Sequence, residues 1–220
     1  MENKTYRMDC IELMNDMEDK SVDCILTDPP YFIPAVHYST RTAFKRNFAD
    51  LGILESWFKI YFKQAARIIK PDGTIYMFCD GQSYPLFFWY CYQFTKSVKP
   101  LIWDKQMSIN GYEWRHQHEI ILWANMPDKK PIPTGDGDIL KCRAVPVGER
   151  QHPAQKPIEL LELLINKSTK AGDLIFDPFA GSGSCRIACE RTSRNFIGAE
   201  LNLDYYTEEE KRTNTNETLF

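Results

Sequence analysis

Residues Thr27-Asp28-Pro29-Pro30-Tyr31 place one carboxylate, two rigid imino acids and one aromatic ring in five consecutive positions. The run closes an apolar stretch, Val22 to Leu26, that reads as a short buried strand. A carboxylate held on stiff backbone suits the hydrogens of a flat amine, and an aromatic face suits the ring that bears it. The same residues also describe an ordinary proline turn, because Asp-Pro is a common way to start one. Alone, the run does not choose between these readings.

A second cluster narrows the choice. Phe176-Asp177-Pro178-Phe179-Ala180-Gly181-Ser182-Gly183-Ser184 follows the apolar Leu174-Ile175 and precedes a helical stretch, Cys185 to Arg191. A strand, a glycine turn and a helix start form a ligand-binding junction, since glycines admit close backbone approach and helix-start amides face the ligand. No lysine follows Gly183, so the phosphate-binding loop pattern fails. Arg186 stands where a dinucleotide fingerprint needs its third glycine, so that pattern fails too. A neutral-to-zwitterionic nucleoside ligand remains. Glu200 ends the next apolar stretch, Phe196 to Ala199, where an acid can bond both ribose hydroxyls. Asp177 and Glu200 also read as plain solvated strand ends, a reading that the glycine turn weakens.

These residues need a sheet to position them, and the chain alternates strand and helix signals as an α/β layer structure with a largely parallel sheet does. Leu54, Phe58, Tyr61, Ala65 and Ile68 recur at helical spacing. Pro71-Asp72-Gly73 reads as the stop of that helix, with a strand from Thr74 to Cys79. Residues 83 to 96 suit another helix. Strands are expected at Pro100–Trp103, Glu119–Trp123, Asp173–Phe176 and Asn195–Ala199. Phe32 to Asp50 reads as a functional or mobile loop, Asn125 to Gln151 as irregular surface, and the polar tail from Thr207 as a frayed helix end or as disordered.

Composition sets outer bounds. The 220 residues, 43% hydrophobic, suffice for one domain, and a net charge of −3 confines any nucleic-acid contact to a local patch. Arg41, Lys45, Arg46, Lys129, Lys130, Lys141, Arg143, Arg150 and Lys156 are candidates for phosphate contact or for a solvated face. Seven cysteines without a Cys-x-x-Cys pair read as reduced thiols, and no run of about 18 apolar residues suggests a membrane span. The expectation is a cytoplasmic protein. His116 and His118 lack the partners of a metal site, so no metal is expected.

Together, Asp28-Pro29-Pro30-Tyr31 and Phe176 to Ser184 resemble the amino-group DNA methyltransferases that use S-adenosylmethionine. The catalytic motif precedes the glycine loop, as in the permuted beta class of that family. Asp9-Cys10-Ile11-Glu12-Leu13, Ile69 to Thr74, Ile102 to Lys105, His118 to Ala124 and His152-Pro153-Ala154-Gln155-Lys156-Pro157 resemble further family segments, so the likeness spans residues 5 to about 206. Met8, Ala154 and Ser184 depart from the usual glycine, threonine and threonine.

The resemblance implies a Rossmann-like methyltransferase fold: a largely parallel sheet, helices on both faces and one antiparallel edge strand. It implies one catalytic domain over 1–206 with a small target-recognition insert at about 125–151, then a polar tail at 207–220. It implies S-adenosylmethionine held by Asp9, Cys10, Asp28, Lys156, Asp177, Phe179, Ala180, Gly181, Ser182, Gly183, Glu200 and Leu201, with Asp9 near the adenine, Glu200 at the ribose and the glycines beneath the methionine part. It assigns catalysis to Asp28, Pro29, Pro30 and Tyr31. Asp28 and the Pro29 carbonyl would accept the amine hydrogens, while Tyr31, aided by Phe32, stacks on a base flipped out of double-stranded DNA. Asp in the first position points to the adenine N6 amine. Cytosine N4, an RNA base, a protein glutamine and a non-catalytic binding module stand as alternatives. The short insert leaves base reading to relaxed specificity, to the 32–50 loop or to a second subunit in a homodimer, and the family connects the chain with restriction–modification.

Overall fold

The computed structural model describes residues 3–30, 51–107, 113–132, 135–150 and 155–216. Tyr31, the 32–50 loop with Arg41, Lys45 and Arg46, and residues 151–154 lie outside the described residues. Within them the chain runs β1 (Lys4–Tyr6), α1 (Cys10–Asp16), β2 (Val22–Thr27), α2 (Leu51–Ile68), β3 (Ile69–Cys79), α3 (Tyr84–Tyr92), β4 (Ser97–Asp104), β5 (His118–Asn125), β6 (Ile139–Lys141), α4 (Ile158–Ser168), β7 (Leu174–Asp177), α5 (Ser184–Arg191), β8 (Asn195–Ala199) and α6 (Leu203–Asn216).

The eight strands form one sheet in the order β1-β8-β7-β2-β3-β5-β4-β6. Seven point the same way, and β5 alone is antiparallel. The expected antiparallel strand is therefore present, but it lies inside the sheet rather than at its edge. The crossover through α3 sets β4 one strand away from β3, and β5 returns as a hairpin into the gap, bonding both neighbours. β6 then adds outside β4, so part of the 125–151 insert is an edge strand and not irregular surface.

Period-two alternation sends side chains to two cores. Ile25, Ile75, Met77, Phe176 and Ile197 face α1, α2 and α3. Cys24, Leu26, Tyr76, Phe78, Ile175 and Phe196 face α4 and α5. On α2 the predicted face holds at Phe58, Tyr61, Ala65 and Ile68, all buried. Six of the seven cysteines, none bonded to another, are buried in this interior. Among the described residues, no helix is long and apolar enough to cross a membrane.

Two local expectations change. The α2 helix gives way to β3 already at Ile69, before Pro71, because β2 captures the chain there: Val22 pairs Ile69 and Cys24 pairs Thr74, so Lys70–Gly73 bulges between them. A side chain at position 73 would meet Ile69 Cγ1 at 2.5 Å and the Asp23 carbonyl at 3.0 Å, which explains the glycine. The helical reading of the tail holds as far as Asn216, and the correction is to its packing. Residues 207–216 continue α6, and its anchors are polar rather than apolar: Glu209 and Thr213 are fully buried.

Candidate active site

Parallel order brings the strand exits to one edge. Asp9 follows β1, Glu200 follows β8, Asp177 ends β7 with the glycine turn after it, and Asp28 follows β2. Chain connections leave β7 towards β8 and β2 towards β3, in opposite directions, so a crevice opens between β7 and β2. Ligands of open α/β sheets bind at such a switch point. Asp28 and the glycine turn flank it.

On the β7 side the turn is shaped by backbone. Gly181 and Gly183 have φ of 55° and 73°, and Gly183 caps α5. The Ala180 amide bonds the Ala199 carbonyl at 2.9 Å, tying the turn to β8. Glu200 is pinned by two amides, Gly181 at 3.0 Å and Asn202 at 2.7 Å. A carboxylate accepts about four bonds, so this fixed orientation suits hydroxyl donors of a sugar. Asp9 caps α1 by accepting from the Ile11 amide at 2.8 Å. Ala180, Ser182 and Gly183 are buried beneath the turn, Leu201 is exposed, and the Cys10 side chain lies in the core below α1.

Asp177 accepts from the Phe179 amide at 3.1 Å. Burial drives its carboxyl up to about 8, helped by the nearby Glu209 and Asp28 charges. Glu209, on α6, rises to about 7 chiefly through burial, against the bond from Thr5 and the charge of Arg186. α6 supports the turn from behind. Arg212 donates to the Ser182 carbonyl at 2.8 Å and to Ser184 Oγ at 3.0 Å, and Arg186 pairs with Glu210 at 2.9 Å. Phe179 packs against Trp57 and Tyr61, with centroids 5.9 and 6.1 Å away.

On the β2 side, Pro29 is buried and Pro30 half-buried. The Asp28 side chain keeps 21% exposure, and its Oδ2 lies 2.7 Å from Lys156 Nζ. Lys156 also reaches Glu119 Oε1 at 2.9 Å and sits 4.7 Å from the Phe78 ring centroid. Burial pulls its ammonium down, but the two carboxylates outweigh that and hold it above its usual range. The structure thus joins Lys156, which sequence reading paired with the cofactor, directly to the proposed catalytic acid. Lys129 instead bonds the Ser168 carbonyl, and Arg150 the Val145 carbonyl. Lys130, Lys141 and Arg143 are exposed.

Sequence reading missed Trp57, Glu209, Arg212 and the role of Glu119. Glu119 alone left a signal, a charge opening an otherwise apolar strand. Among the described residues, no group of three or more His, Cys, Asp or Glu could hold a metal ion.

A parallel-rich sheet with a glycine turn and an acid at each neighbouring strand exit defines a nucleoside-cofactor enzyme of the α/β class. The profile of the N6/N4 DNA methylases matches residues 22–211, and the chain belongs to that family. It is 31% identical over 235 residues to the type II methyltransferase M2.MboI of Moraxella bovis, covering 91% of this chain and 83% of the relative. To M2.DpnII of Streptococcus pneumoniae it is 28% identical, covering 96% and 89%. Among solved structures, the M1.HpyAVI–SAM complex superposes with a TM-score of 0.69 at 25% identity, over 95% of this chain and 98% of that one. The cytosine-N4-specific PvuII DNA methyltransferase shares the fold, with a TM-score of 0.77 at 18% identity, over 95% and 85%.

Proposed function

We propose that this chain transfers the methyl group of S-adenosylmethionine to the N6 amine of adenine in DNA, as a type II modification enzyme working in the cytoplasm. The buried free thiols accord with a reducing compartment. One observation carries the reading: Asp28 stands at the exit of β2, partly exposed, with Oδ2 engaged by Lys156, across the switch point from the glycine turn.

Three features of the turn support this cofactor. The left-handed turn at Gly181 and Gly183 is assigned to the methionine part, pinned Glu200 suits the ribose, and Asp177 offers an acid to the cofactor's positive charge. When bound, the cofactor supplies an electrophilic methyl on a sulfonium.

The chain must supply the rest. An exocyclic amine is a weak nucleophile because its lone pair is shared with the ring. Asp28 and the Pro29 carbonyl accept its two hydrogens, localise the lone pair and stabilise the positive charge that grows on nitrogen. Prolines on either side of that carbonyl's peptide limit how far it strays. A strongly shifted base is unnecessary, since the methylated ammonium is acidic and releases its proton afterwards. Tyr31 follows directly in sequence, and we assign it the stacking face for the flipped base. Exposed Lys130, Lys141 and Arg143 supply phosphate contacts. Asp in the first motif position supports adenine.

The test is incubation with labelled S-adenosylmethionine and unmodified DNA, followed by mass spectrometry of the nucleosides. N6-methyladenine is the expected product. N4-methylcytosine overturns the base assignment, and cofactor binding without transfer to DNA overturns the enzyme reading.

A further inference from the structure

Behind Asp28 runs a chain of four alternating charges. Asp28 Oδ2 meets Lys156 Nζ at 2.7 Å, Lys156 meets Glu119 Oε1 at 2.9 Å, and Glu119 Oε2 meets Lys105 Nζ at 2.9 Å. The members come from four places: the exit of β2, the approach to α4, the start of β5 and the exit of β4. Antiparallel β5 makes this possible, because its first residues lie at the edge where the other strands end. Glu119 pairs in register with Trp103. Lys105 lies 5.1 Å from the Trp103 ring centroid and Lys156 lies 4.7 Å from that of Phe78, with the two rings edge to face. The Lys156 and Glu119 side chains are only 11% and 10% exposed, whereas Asp28 and Lys105, at the two ends, keep 21% each.

This arrangement addresses a conflict in the mechanism. Lys156 fixes Asp28, yet an ammonium beside the acceptor opposes the positive charge that must grow on the substrate amine. A second carboxylate on the same ammonium offsets that opposition. We propose that Glu119 is a positioning residue for methyl transfer: it shares Lys156 with Asp28 and, itself restrained by Lys105, sets how much of the lysine's charge the acceptor site feels. The inference rests on the reading of Asp28 as the amine's acceptor.

The charge balance gives the substitutions opposite signs. In Glu119→Gln, an isosteric change, Lys156 bears on Asp28 without compensation, and kcat falls on the order of tenfold. In Lys105→Met, Glu119 turns wholly to Lys156, the site becomes more negative, and kcat stays level or rises. Removing both charges in Glu119→Gln/Lys156→Gln, where the amide at 156 keeps a donor for Asp28 without the lysine's charge, restores part of the loss seen in Glu119→Gln alone, the signature of coupling rather than of two independent injuries. Cofactor Kd and DNA KM stay within about twofold in Glu119→Gln, because the change acts on developing charge and not on ground-state binding.

Single-turnover rates on DNA, cofactor titrations and circular dichroism of the full chain read all of this. Loss of kcat in both single variants, or a double variant worse than Glu119→Gln, assigns the chain of charges to fold maintenance and overturns the proposal. Wild-type kcat in Glu119→Gln overturns it as well. Asp28→Asn separates the two layers: if that variant is inactive while Glu119→Gln is unaffected, only this inference falls. If Asp28→Asn transfers at the wild-type rate, the acceptor reading itself falls.

Discussion

The two sides of the crevice solve opposite electrostatic problems with the same residue type. On the β2 side, Asp28 and Glu119 are held by lysines, so the charges largely cancel before substrate arrives. On the β7 side, Asp177 is buried without an ion pair to a cation among the described residues, and its carboxyl is pushed up to about 8. A paired acid is ready to accept hydrogen bonds at once, whereas a buried acid without a cation holds a proton until a positive ligand displaces it. The paired side suits a neutral amine that becomes charged only in the transition state. The other suits a ligand that arrives charged, as S-adenosylmethionine does.

The comparison is broken most severely at Asp28. Asp28→Ala is expected to lower transfer about a hundredfold or more, on the order of 3 kcal/mol, while cofactor affinity changes little. The fold should survive, because Lys156 keeps Glu119 as its partner. Rapid-quench transfer assays beside equilibrium cofactor titrations check this, and equal activity would remove Asp28 from the mechanism. Gly183→Ala attacks the other side through shape. A Cβ there would lie 2.4 Å from Glu209 Cγ, at a backbone φ of 73°, and neither the buried Glu209 nor the backbone has room to yield. Strain and overpacking together cost about 3 kcal/mol, which thermal melting should show as a fall of roughly 10 °C. Cofactor affinity should fall with it, in contrast to Asp28→Ala.

The same division marks what the sequence made legible. Thr27 to Tyr31, the glycine turn and Glu200 are local: strand, exit and functional group lie within a few residues, so spacing reveals them. The strands β2, β4, β5, β7 and β8 were legible for the same reason, as short apolar runs between turn signals. Long-range polar pairing left no such trace. The contact between Lys156 and Asp28 spans most of the chain, and nothing in either neighbourhood specifies the other. The packing of α6 left no apolar pattern, because the side chains it buries are polar. Glu209 is buried through a bond from Thr5, 204 residues away, and Arg212 through the Ser182 carbonyl. β6 is three residues long at a sheet edge, too short for alternation to register. β5 was seen as a strand, but its place inside the sheet follows from the α3 crossover and not from its own residues.

A subtler way to sharpen the comparison is to remove the titrating acid of the β7 side. With its carboxyl near 8 in the folded protein and near 3.8 unfolded, Asp177 binds its extra proton in the native state between those values. Stability therefore falls as pH rises through that window, and the full penalty is reached above pH 8. Asp177→Asn removes the penalty, so its melting temperature should match wild type near pH 4 and exceed it by several degrees above pH 8. The same variant should bind cofactor more weakly. Calorimetry in buffers of different ionisation enthalpy should show wild type releasing a proton on binding below pH 8, and the variant releasing less. A variant less stable at every pH would mean that Asp177 is paired and not strained.

Glu209→Gln should give the smallest effect, with the same sign over a narrower range. Its carboxyl stands near 7 folded against 4.5 unfolded, so the stability it forfeits is lost between those two pH values. Thr5 still finds an acceptor in the amide oxygen, and at pH 4 and below the wild-type side chain is protonated both folded and unfolded, so the two proteins should melt together there. At pH 8 the variant should be the more stable, by about a few degrees at most. The new amide hydrogens enter a site where Glu209 Oε2 already lacks a partner among the described residues, which offsets part of the gain. Because Glu209 raises Asp177 through its charge, the Asp177 transition should move down in the variant, and cofactor affinity above pH 7 should rise slightly. If that transition stays in place, the two acids act independently, and the β7 side is a pair of separate buried carboxyls instead of one charge-poor pocket.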